Sequence, residues 1–410
     1  MLRIAVIGCG IAGPAAALFL QRLNAEVSLF DRVENLAPLG AGFLLQPAGL
    51  DVLNQLGIAQ SLILKGAPIA GLSGVNHRNK VVLDLRYRDL VRHHFGLGIH
   101  RAALYQEMFS KIKDTGIRII NPCEIVSFRQ SADAVELYDH KGCMHGPFDC
   151  VVIADGSRSL LRQQLEVRIK VKPYDWGALW TIARDCDSQF NQTLEQVYRS
   201  TEIMAGVLPI GFESQQTMVS FFWSIKKQYF PQWLATPFEQ WKEEVTTIWP
   251  ALQPLFEQLH SHQQFALASY ADVRVYPWHD RRVVVIGDAA HGMSPQLGQG
   301  ANLSLLDART LYECMNQFPL PQALSMYTHR RKAQLRYYQN ASWFITPWFQ
   351  SSHSGMGVLR DLLHGLFCKT PFIKQQMLRT LACMKTGYFS SLPLNAFKPL
   401  CKEEMDSNKD

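Results

Sequence analysis

The chain has 410 residues, of which 47% are hydrophobic and 19% are charged, and its formal net charge is +6. This length exceeds one ordinary hydrophobic core, so we expect two or more domains. No run approaches about 18 uninterrupted apolar residues, so a membrane-spanning helix is not expected. The nine cysteines are odd in number and form no C-x-x-C pair. This pattern argues against a disulfide framework or a metal site such as zinc, and it favours the reducing cytosol.

The first thirty residues have the pattern of a strand, a glycine-rich turn, a helix and a second strand. Residues 2–7 are apolar except for Arg3, as is typical of a buried parallel strand, and Gly8, Gly10 and Gly13 follow in the G-x-G-x-x-G spacing. The first glycine permits the tight turn, the second lets a pyrophosphate approach the backbone, and the third allows close packing of helix on strand. The pattern predicts a dinucleotide site, with a helix that opens at Pro14.

An acidic residue supports this prediction. A second strand is predicted at residues 26–30, and Asp31 and Arg32 follow it directly. In dinucleotide sites, a carboxylate roughly 20 positions beyond the glycines accepts hydrogen bonds from a ribose. Strand, turn, helix, strand and acid in this order are a stronger indication than the glycines alone.

Near residue 288 the chain again passes from an apolar strand into a turn and a glycine-rich helix start. The strand is predicted at residues 282–286, Asp288 follows it, and Pro295 precedes the segment Gly298–Asn302. A helix that begins near Ala301 aims unpaired N–H groups and the positive end of its dipole at a negative charge. Together with the first turn, this turn indicates one dinucleotide that is held at both ends by a discontinuous domain.

A third turn lies between these two. A buried strand is predicted at residues 148–153, and Asp155 and Gly156 follow it. Either Ser157 or Ser159 is placed to cap the next helix. Taken alone, this is a plain strand–turn–helix junction.

The segments between the turns predict an inserted sheet. Strands are expected at 177–183, 203–210 and 217–225, with a helix between about 237 and 260. Five aromatic residues lie on the predicted sheet that covers the ligand, and alternation sends only half of them toward it: Trp176, Trp180, Phe221, Phe222 and Trp223. The predicted division is a dinucleotide-binding domain of residues 1–72, 97–164 and 277–330, a substrate domain of residues 73–96 and 165–276, C-terminal helices at 331–402, and a disordered tail at 403–410.

The net charge hides an asymmetry. Residues 1–329 carry 29 basic and 30 acidic side chains, whereas residues 330–402 carry 11 basic ones and a single acidic one, Asp361. The same tail holds Trp343, Phe344, Trp348, Phe349, Phe367, Phe372 and Phe389. We expect amphipathic helices that pack on the body, with peripheral contact to an anionic membrane as the alternative. No nucleic-acid partner is expected, because the rest of the chain is neutral.

The three turns resemble the signatures of the single-component (class A) FAD-dependent monooxygenases typified by para-hydroxybenzoate hydroxylase. The matching segments are Gly8–Gly13, Asp155–Arg162 and Gly287–Asn302. The stretch at 38–50 and the pair Arg101 and Leu104 are also similar to that family. The resemblance covers about residues 1–330. It implies an α/β fold in which a Rossmann-like FAD-binding domain is interrupted by an antiparallel-sheet substrate domain and followed by a C-terminal helical segment.

The resemblance also implies cofactor-binding residues. At the adenosine end, Gly8, Gly10 and Gly13 would cradle the pyrophosphate, with Ala12 in the same turn, and Asp31, next to Arg32, would bind the ribose. The family more often has Glu in place of Asp31, so the shorter side chain must lie closer. At the flavin end, Arg101 would contact the ribityl–phosphate region, Asp288 the ribityl hydroxyls, Pro295 the ring, and Gly298, Gly300, Ala301 and Asn302 its pyrimidine edge. Asp155 would serve both FAD and NAD(P)H.

The chemistry implied is hydroxylation. NAD(P)H reduces the flavin, O2 adds to form a flavin C4a-hydroperoxide, and one oxygen atom passes to an aromatic or polyketide-like small molecule. The cofactor carries the hard chemistry, so no catalytic acid or base needs to stand out. His291 is interpreted as structural, because a turn histidine usually satisfies a backbone partner. The sequence leaves the choice between NADH and NADPH and the oligomeric state open.

Two other functions stay open. An FAD-dependent reductase of an isoprenoid or quinone-type substrate would share the three signatures and differ only in its substrate. A non-enzymatic flavin-binding protein would carry them without chemistry. A pyridine nucleotide–disulfide reductase is disfavoured, because a second G-x-G-x-x-G and a redox cysteine pair are missing. The halogenase motif W-x-W-x-I-P is also missing.

Overall fold

The computed structural model describes residues 1–36 and 42–397. The tail predicted at 403–410 and the first part of the stretch at 38–50 lie outside the described residues. The strands are β1 (Arg3–Ile7), β2 (Glu26–Phe30), β3 (Gly42–Leu45), β4 (Ala67–Ile69), β5 (Gly71–Asn76), β6 (Val81–Arg86), β7 (Gly96–His100), β8 (Arg118–Ile120), β9 (Ile125–Gln130), β10 (Val135–Asp139), β11 (Met144–Phe148), β12 (Cys150–Ile153), β13 (Arg168–Arg184), β14 (Thr193–Arg199), β15 (Ile203–Glu213), β16 (Gln216–Lys226), β17 (Ala266–Tyr276), β18 (His279–Asp280) and β19 (Val283–Val285).

The α-helices lie before β8, between β16 and β17, and after β19. They are α1 (Ala12–Gln21), α2 (Pro47–Gln55), α3 (Ala59–Lys65), α4 (Arg101–Lys113), α5 (Phe230–Ala235), α6 (Phe238–Ile248), α7 (Gln253–Phe256), α8 (Asp288–His291), α9 (Gly300–Gln317), α10 (Leu320–Phe349), α11 (Ser354–Lys369) and α12 (Pro371–Leu381). Strands and helices alternate in the first part of the chain, and the segment after β19 is helical. The fold is therefore mixed α/β with a helical C-terminal segment.

The three signature turns meet at one edge of a mostly parallel sheet. Its strand order is β18-β19-β12-β1-β2-β8. β1 pairs in parallel with β2 and β12, and β12 pairs in parallel with β19, so Ile7, Ile153 and Val285 lie in register. The chain leaves these three strands side by side, at the carboxyl ends where open α/β sheets bind ligands.

Helix α1 follows β1 and is buried from Ala12 to Leu20. Its alanines allow this, because small side chains let the helix lie close to both the sheet and its other neighbour, α9. The helix begins two residues earlier than predicted, so Pro14 lies in the first turn. An N–H in the first turn has no intrahelical partner, and its absence in proline costs little there.

Two small sheets flank the parallel sheet. One has the order β3-β7-β4 and the other β11-β10-β9. The first leads through β7 directly into α4, which begins at Arg101. His100 caps this helix, because its Nδ1 atom accepts a hydrogen bond of 3.1 Å from the Ala102 N–H.

The remaining sheet, called the large sheet below, has the order β17-β13-β16-β15-β14-β5-β6. It is antiparallel except for the β14–β5 pair. Its two faces pack differently. Phe221 and Trp223 belong to a core cluster that includes residues of α6 and α7. Phe222 lies on the opposite face with Trp180, and their ring centroids are 5.1 Å apart. The helix predicted between about 237 and 260 is divided at Pro250, since proline cannot continue the helical hydrogen bonds.

The C-terminal helices begin before the predicted boundary, because α10 runs without a break from Leu320 to Phe349. One side of α10 is buried against the body, including Tyr327 and Tyr338. Trp343, Phe344 and Phe372 are instead 61%, 64% and 70% exposed, although packing was expected for these aromatic residues. In the part of the chain that the structure describes, no helix is both long and apolar enough to cross a membrane.

Candidate functional site

A cavity of about 370 Å³ lies at the carboxyl edge of the parallel sheet. It brings together half of the predicted cofactor-binding residues, from parts of the chain that are far apart in sequence. These residues are Gly10, Ala12, Asp31, Arg101, Asp288, Gly300 and Ala301. The other predicted residues do not line it: Gly8, Gly13, Arg32, Asp155, Pro295, Gly298 and Asn302. The cavity therefore connects the first turn with the last one.

The three glycines of the first turn meet different surroundings. Gly8 has a φ of +107°, and an added Cβ would lie 2.5 Å from the carbonyl oxygen of Ala154. At Gly13 an added Cβ would lie 1.8 Å from the carbonyl oxygen of Gly8. At Gly10 it would meet no heavy atom within 4 Å. The fold itself thus requires Gly8 and Gly13, whereas the space beside Gly10 is left open for a ligand to approach the backbone.

Asp31 lies at the end of the cavity beside the first glycine turn and is fixed by the backbone. Its Oδ2 atom accepts a hydrogen bond of 2.6 Å from the Cys9 N–H, and its Oδ1 atom accepts one of 2.8 Å from the Val33 N–H. Arg32 points elsewhere, because its exposed guanidinium lies 3.8 Å from the carboxylate of Glu124. The carboxylate of Asp31 is therefore held against the glycine turn and at the rim of the cavity.

The middle turn is held by a buried arginine. Arg162 donates to the carbonyl oxygens of Ser157 at 2.6 Å and Gly156 at 3.3 Å, and the Ser159 hydroxyl caps the turn by accepting from the Arg162 N–H at 3.1 Å. Asp155 lies behind the cavity, and burial is the main cause that raises the pKa of its carboxyl group. Its Oδ1 atom is buried and has no hydrogen-bond partner among residues 1–36 and 42–397. An unpaired buried acceptor of this kind fits a site that a polar ligand completes.

The last turn forms the other end of the cavity. Gly287 has a φ of +62°, and an added Cβ would lie 2.9 Å from the Cβ of Ala12, so the last turn packs on the first. Asp288 begins α8, and its Oδ1 atom would lie 3.5 Å from a Cβ added at Gly300. The carboxylate therefore faces the start of α9. Unpaired N–H groups at a helix start favour negative charge in this position.

Asn302 is buried and connects two chain segments through its side chain. Its Oδ1 atom accepts a hydrogen bond of 2.8 Å from the Gln46 N–H, and its amide donates to the Gly298 carbonyl oxygen at 3.2 Å. Gly298 itself has a φ of +61°, the left-handed conformation that follows the short 3₁₀ turn Pro295–Leu297. These contacts fix the loop before α9 and its distance from the β3–α2 junction.

A buried charged network supports the last turn, and sequence reasoning missed it. His291 Nε2 lies 2.5 Å from Asp307 Oδ2, and Arg331 Nε donates to Asp307 Oδ1 at 2.7 Å. The Gly287 N–H also donates to Asp307, at 2.9 Å. The partner of His291 is thus a carboxylate on α9 rather than the backbone group that was expected. The sequence offered one indication of this network, because Asp307 is an acidic residue inside the largely apolar stretch Leu303–Leu311.

The network keeps Asp307 ionised. Burial alone raises the pKa of its carboxyl group, but the charges of His291 and Arg331 and the hydrogen bonds from His291 and Gly287 outweigh burial and hold the pKa at about 2. Because Arg331 belongs to α10, the C-terminal helices contribute directly to the geometry of the last turn.

A polar pair lies on the face of the large sheet opposite α6. Trp180 Nε1 donates to the Tyr270 hydroxyl at 3.1 Å. Burial raises the pKa of Tyr270 to about 12, although the Trp180 hydrogen bond and the charge of Arg101 lower it in part. Tyr270 therefore carries a neutral hydroxyl at ordinary pH, within the electrostatic reach of a residue that lines the cavity.

Comparison with known proteins identifies the family. A protein-family model with the description "FAD binding domain" matches residues 1–336. The chain belongs to this family. It is similar to 2-heptyl-3-hydroxy-4(1H)-quinolone synthase of Pseudomonas aeruginosa, with 24% identity over 85% of this chain and 91% of the relative. It is also similar to 3-hydroxybenzoate 6-hydroxylase of Klebsiella oxytoca, with 24% identity over 77% of this chain and 80% of the relative.

The fold is shared with solved structures. Klebsiella pneumoniae HpxO, complexed with FAD and uric acid, superposes with a TM-score of 0.76 at 18% identity, over 93% of this chain and 97% of that chain. The predicted cofactor, FAD, is confirmed by the family match. The predicted activity, that of an FAD-dependent monooxygenase, is confirmed by the same family and by the relatives.

Proposed function

We propose that the chain is a single-component, class A monooxygenase of the para-hydroxybenzoate hydroxylase type. In this proposal it uses NAD(P)H and O2 to hydroxylate an aromatic or polyketide-like small molecule. The observation that carries the proposal is the cavity that joins Asp31 and Gly10 at one end to Asp288 and Gly300 at the other. The names of the relatives support the substrate class, since they include a hydroxybenzoate hydroxylase and a quinolone synthase.

The residues present fit FAD. At the adenosine end, the open backbone at Gly10 receives the pyrophosphate and Asp31 faces the ribose. At the other end, Asp288 would accept hydrogen bonds from the ribityl hydroxyls, and Arg101 would bind the same part of the cofactor. The start of α9 at Gly300 and Ala301 then stabilises negative charge on the pyrimidine edge through its N–H groups and dipole. When bound, FAD supplies the reduction and oxygen-transfer chemistry.

We assign the large sheet to a substrate domain and the parallel sheet to the FAD-binding domain, with the boundaries that the sequence predicts. The face with Trp180, Phe222 and Tyr270 is the proposed wall of the substrate pocket. Its aromatic rings offer an apolar surface, and the neutral Tyr270 hydroxyl offers one polar contact. A mostly apolar pocket with a few placed polar groups is typical of small-molecule sites.

A substrate screen tests the proposal. Purified protein is incubated with FAD, NADH or NADPH, and candidate aromatic and polyketide-like compounds, while O2 uptake and product mass are measured. The proposal predicts that a cognate compound stimulates NAD(P)H oxidation and gains one oxygen atom, which isotopically labelled O2 supplies. Substrate-stimulated flavin reduction without oxygen consumption would instead establish the reductase. Absence of both reactions with every substrate class would favour a flavin-binding protein.

We also propose that the C-terminal helices make peripheral contact with an anionic membrane surface. The exposed Trp343 and Phe344 line an open groove together with Lys170, Lys172 and Lys226. Apolar rings with flanking lysines are typical of membrane-surface binding. The double variant Trp343→Ala, Phe344→Ala should lose co-sedimentation with anionic liposomes, whereas the exposed control Phe212→Ala should not. If the double variant and Phe212→Ala co-sediment with the liposomes to the same extent, the C-terminal helices only pack on the body and the protein is cytosolic.

A further inference from the structure

We propose that Cys123, Asp139 and His145 form a binding site for zinc or a similar thiophilic divalent cation. The three residues come together in the small β9–β11 sheet. Cys123 precedes β9, Asp139 ends β10, and His145 lies in β11. Their ligand atoms all lie within 4.8 Å of one another. The site departs from the sequence prediction, which expected no metal because the cysteines form no C-x-x-C pair.

The distances match a tetrahedral ion. Cys123 Sγ lies 3.7 Å from His145 Nε2 and 4.0 Å from Asp139 Oδ2, and the last two atoms are 3.0 Å apart. Zinc bonds of about 2.3 Å to sulfur and about 2.0–2.2 Å to nitrogen and oxygen, at tetrahedral angles, separate the ligand atoms by about 3.4–3.6 Å. Each observed separation therefore differs from the required one by at most about 0.4 Å.

The ligand atoms are held in place by groups that do not bind the ion. Asp139 Oδ1 accepts hydrogen bonds of 2.9 Å from the N–H groups of both Lys141 and Cys143, which leaves Oδ2 to face the other two ligands. The His145 ring packs edge-on against Phe30, with centroids 5.4 Å apart. Hydrogen-bonded and packed ligands of this kind are typical of functional metal sites, where outer contacts orient the inner ones.

Burial and charge also suit the ion. Cys123 and Asp139 are each 8% exposed. Binding of Zn²⁺ releases the thiol proton to solvent and forms bonds to a thiolate, a carboxylate and an imidazole, which leaves no net charge at the site. Water completes the coordination.

The site lies next to the adenosine end of the cavity. The Cys123 N–H donates to the carbonyl oxygen of Asp31 at 2.7 Å, and the Phe30 carbonyl oxygen accepts from the Gly8 N–H at 2.8 Å. Phe30 and Asp31 are thus in contact both with the proposed metal ligands and with the glycine turn. A bound ion would fasten the β9–β11 sheet to this end of the FAD-binding region, which is a structural rather than a catalytic role.

Cobalt substitution tests the site in the full-length, FAD-loaded protein. The chelator-treated protein is titrated with Co²⁺, and its visible absorption is recorded after the flavin spectrum is subtracted. Zn²⁺ binding is measured separately by calorimetry. We expect one ion per chain, with the absorption of a tetrahedral cobalt–thiolate centre that Zn²⁺ displaces. Cys123→Ser should abolish the thiolate band and lower the affinity for Zn²⁺ more than about 100-fold. Loss of a hydrogen bond that only orients a ligand has a smaller effect.

Matched variants keep the test decisive. The control Cys186→Ser removes an exposed free cysteine that is not one of the three ligands, and it should leave the titration unchanged. Asp139→Asn keeps the size of the side chain and should weaken Zn²⁺ even if Cys123→Ser fails to fold, which FAD content reports. No stoichiometric ion in the wild type, or equal binding by the wild type and Asp139→Asn, would overturn the proposal and leave an ordinary histidine–aspartate hydrogen bond.

Discussion

The two ends of the proposed FAD site are built in different ways. The adenosine end is local, since the residues from β1 to Asp31 supply its turn, its helix and its carboxylate. The flavin end is assembled from distant segments, because Asp288 and the start of α9 depend on Asp307 and on Arg331 from α10. The first end is fixed mainly by backbone geometry and the second by a buried charged network.

This difference explains what each end tolerates. A backbone-built turn fails when a side chain is added where the chain is crowded, and it does not depend on charge. A charge-built turn fails when one partner of the buried network is lost, because the remaining charges are left unpaired. Variants at the two ends should therefore fail for different reasons.

The most severe prediction contrasts Gly13→Ala with Gly10→Ala. At Gly13 the new methyl group would lie 1.8 Å from the Gly8 carbonyl oxygen, so helix and strand must separate. Overpacking ordinarily costs about 1–3 kcal/mol, and we expect more here because the neighbour is backbone. The variant should lose both stability and FAD. At Gly10 the space is open, so Gly10→Ala should keep the free energy of unfolding of the FAD-free protein within about 0.5 kcal/mol and yet bind FAD weakly.

Denaturant unfolding of the FAD-free proteins and FAD titration measure both effects. Equal stability of the two variants would show that Gly13 does not hold the helix close to the strand. Wild-type FAD affinity in Gly10→Ala would show that the pyrophosphate does not approach this backbone position.

The next prediction concerns the flavin end. Asp307→Asn should lower the free energy of unfolding by about 3–5 kcal/mol, because it leaves Arg331 buried beside a neutral group. FAD affinity should fall as well, since the Gly287 N–H loses a charged acceptor directly before Asp288. Asp133→Asn, at an exposed hairpin turn, is the control. Urea unfolding of both variants is the measurement, and a loss within the range of an exposed ion pair, about 0–1 kcal/mol, would contradict the account.

A smaller change is expected at the middle turn. Ser159→Ala removes the acceptor for the Arg162 N–H and should destabilise the protein by about 1 kcal/mol, the usual cost of a lost helix cap. Ser157→Ala is the matched control from the same turn, and its thermal midpoint should stay at the wild-type value. If Ser157→Ala is the more damaging variant, the assignment of the cap is wrong.

The same difference between the ends decided how much the sequence revealed. Gly8, Gly10, Gly13 and Asp31 lie within one short strand–turn–helix–strand unit, whose spacing is fixed by local geometry, so their arrangement was predictable. The pairing of Asp307 with His291 and Arg331 depends on how three helices pack, and no local spacing encodes it. Alternation predicted that Phe221 and Phe222 lie on opposite faces of the sheet. Which of the two faces packs on α6 and α7 depends on tertiary packing, and only the structure showed this.

The FAD content of the purified protein tests the central claim most directly. The account predicts a yellow wild-type protein with close to one FAD per chain. Asp288→Ala should remain folded and lose the flavin, whereas the exposed control Asp133→Ala should keep it. A colourless wild type that binds no added FAD, or an Asp288→Ala variant that holds FAD as tightly as the wild type, would contradict a single cofactor held from both ends.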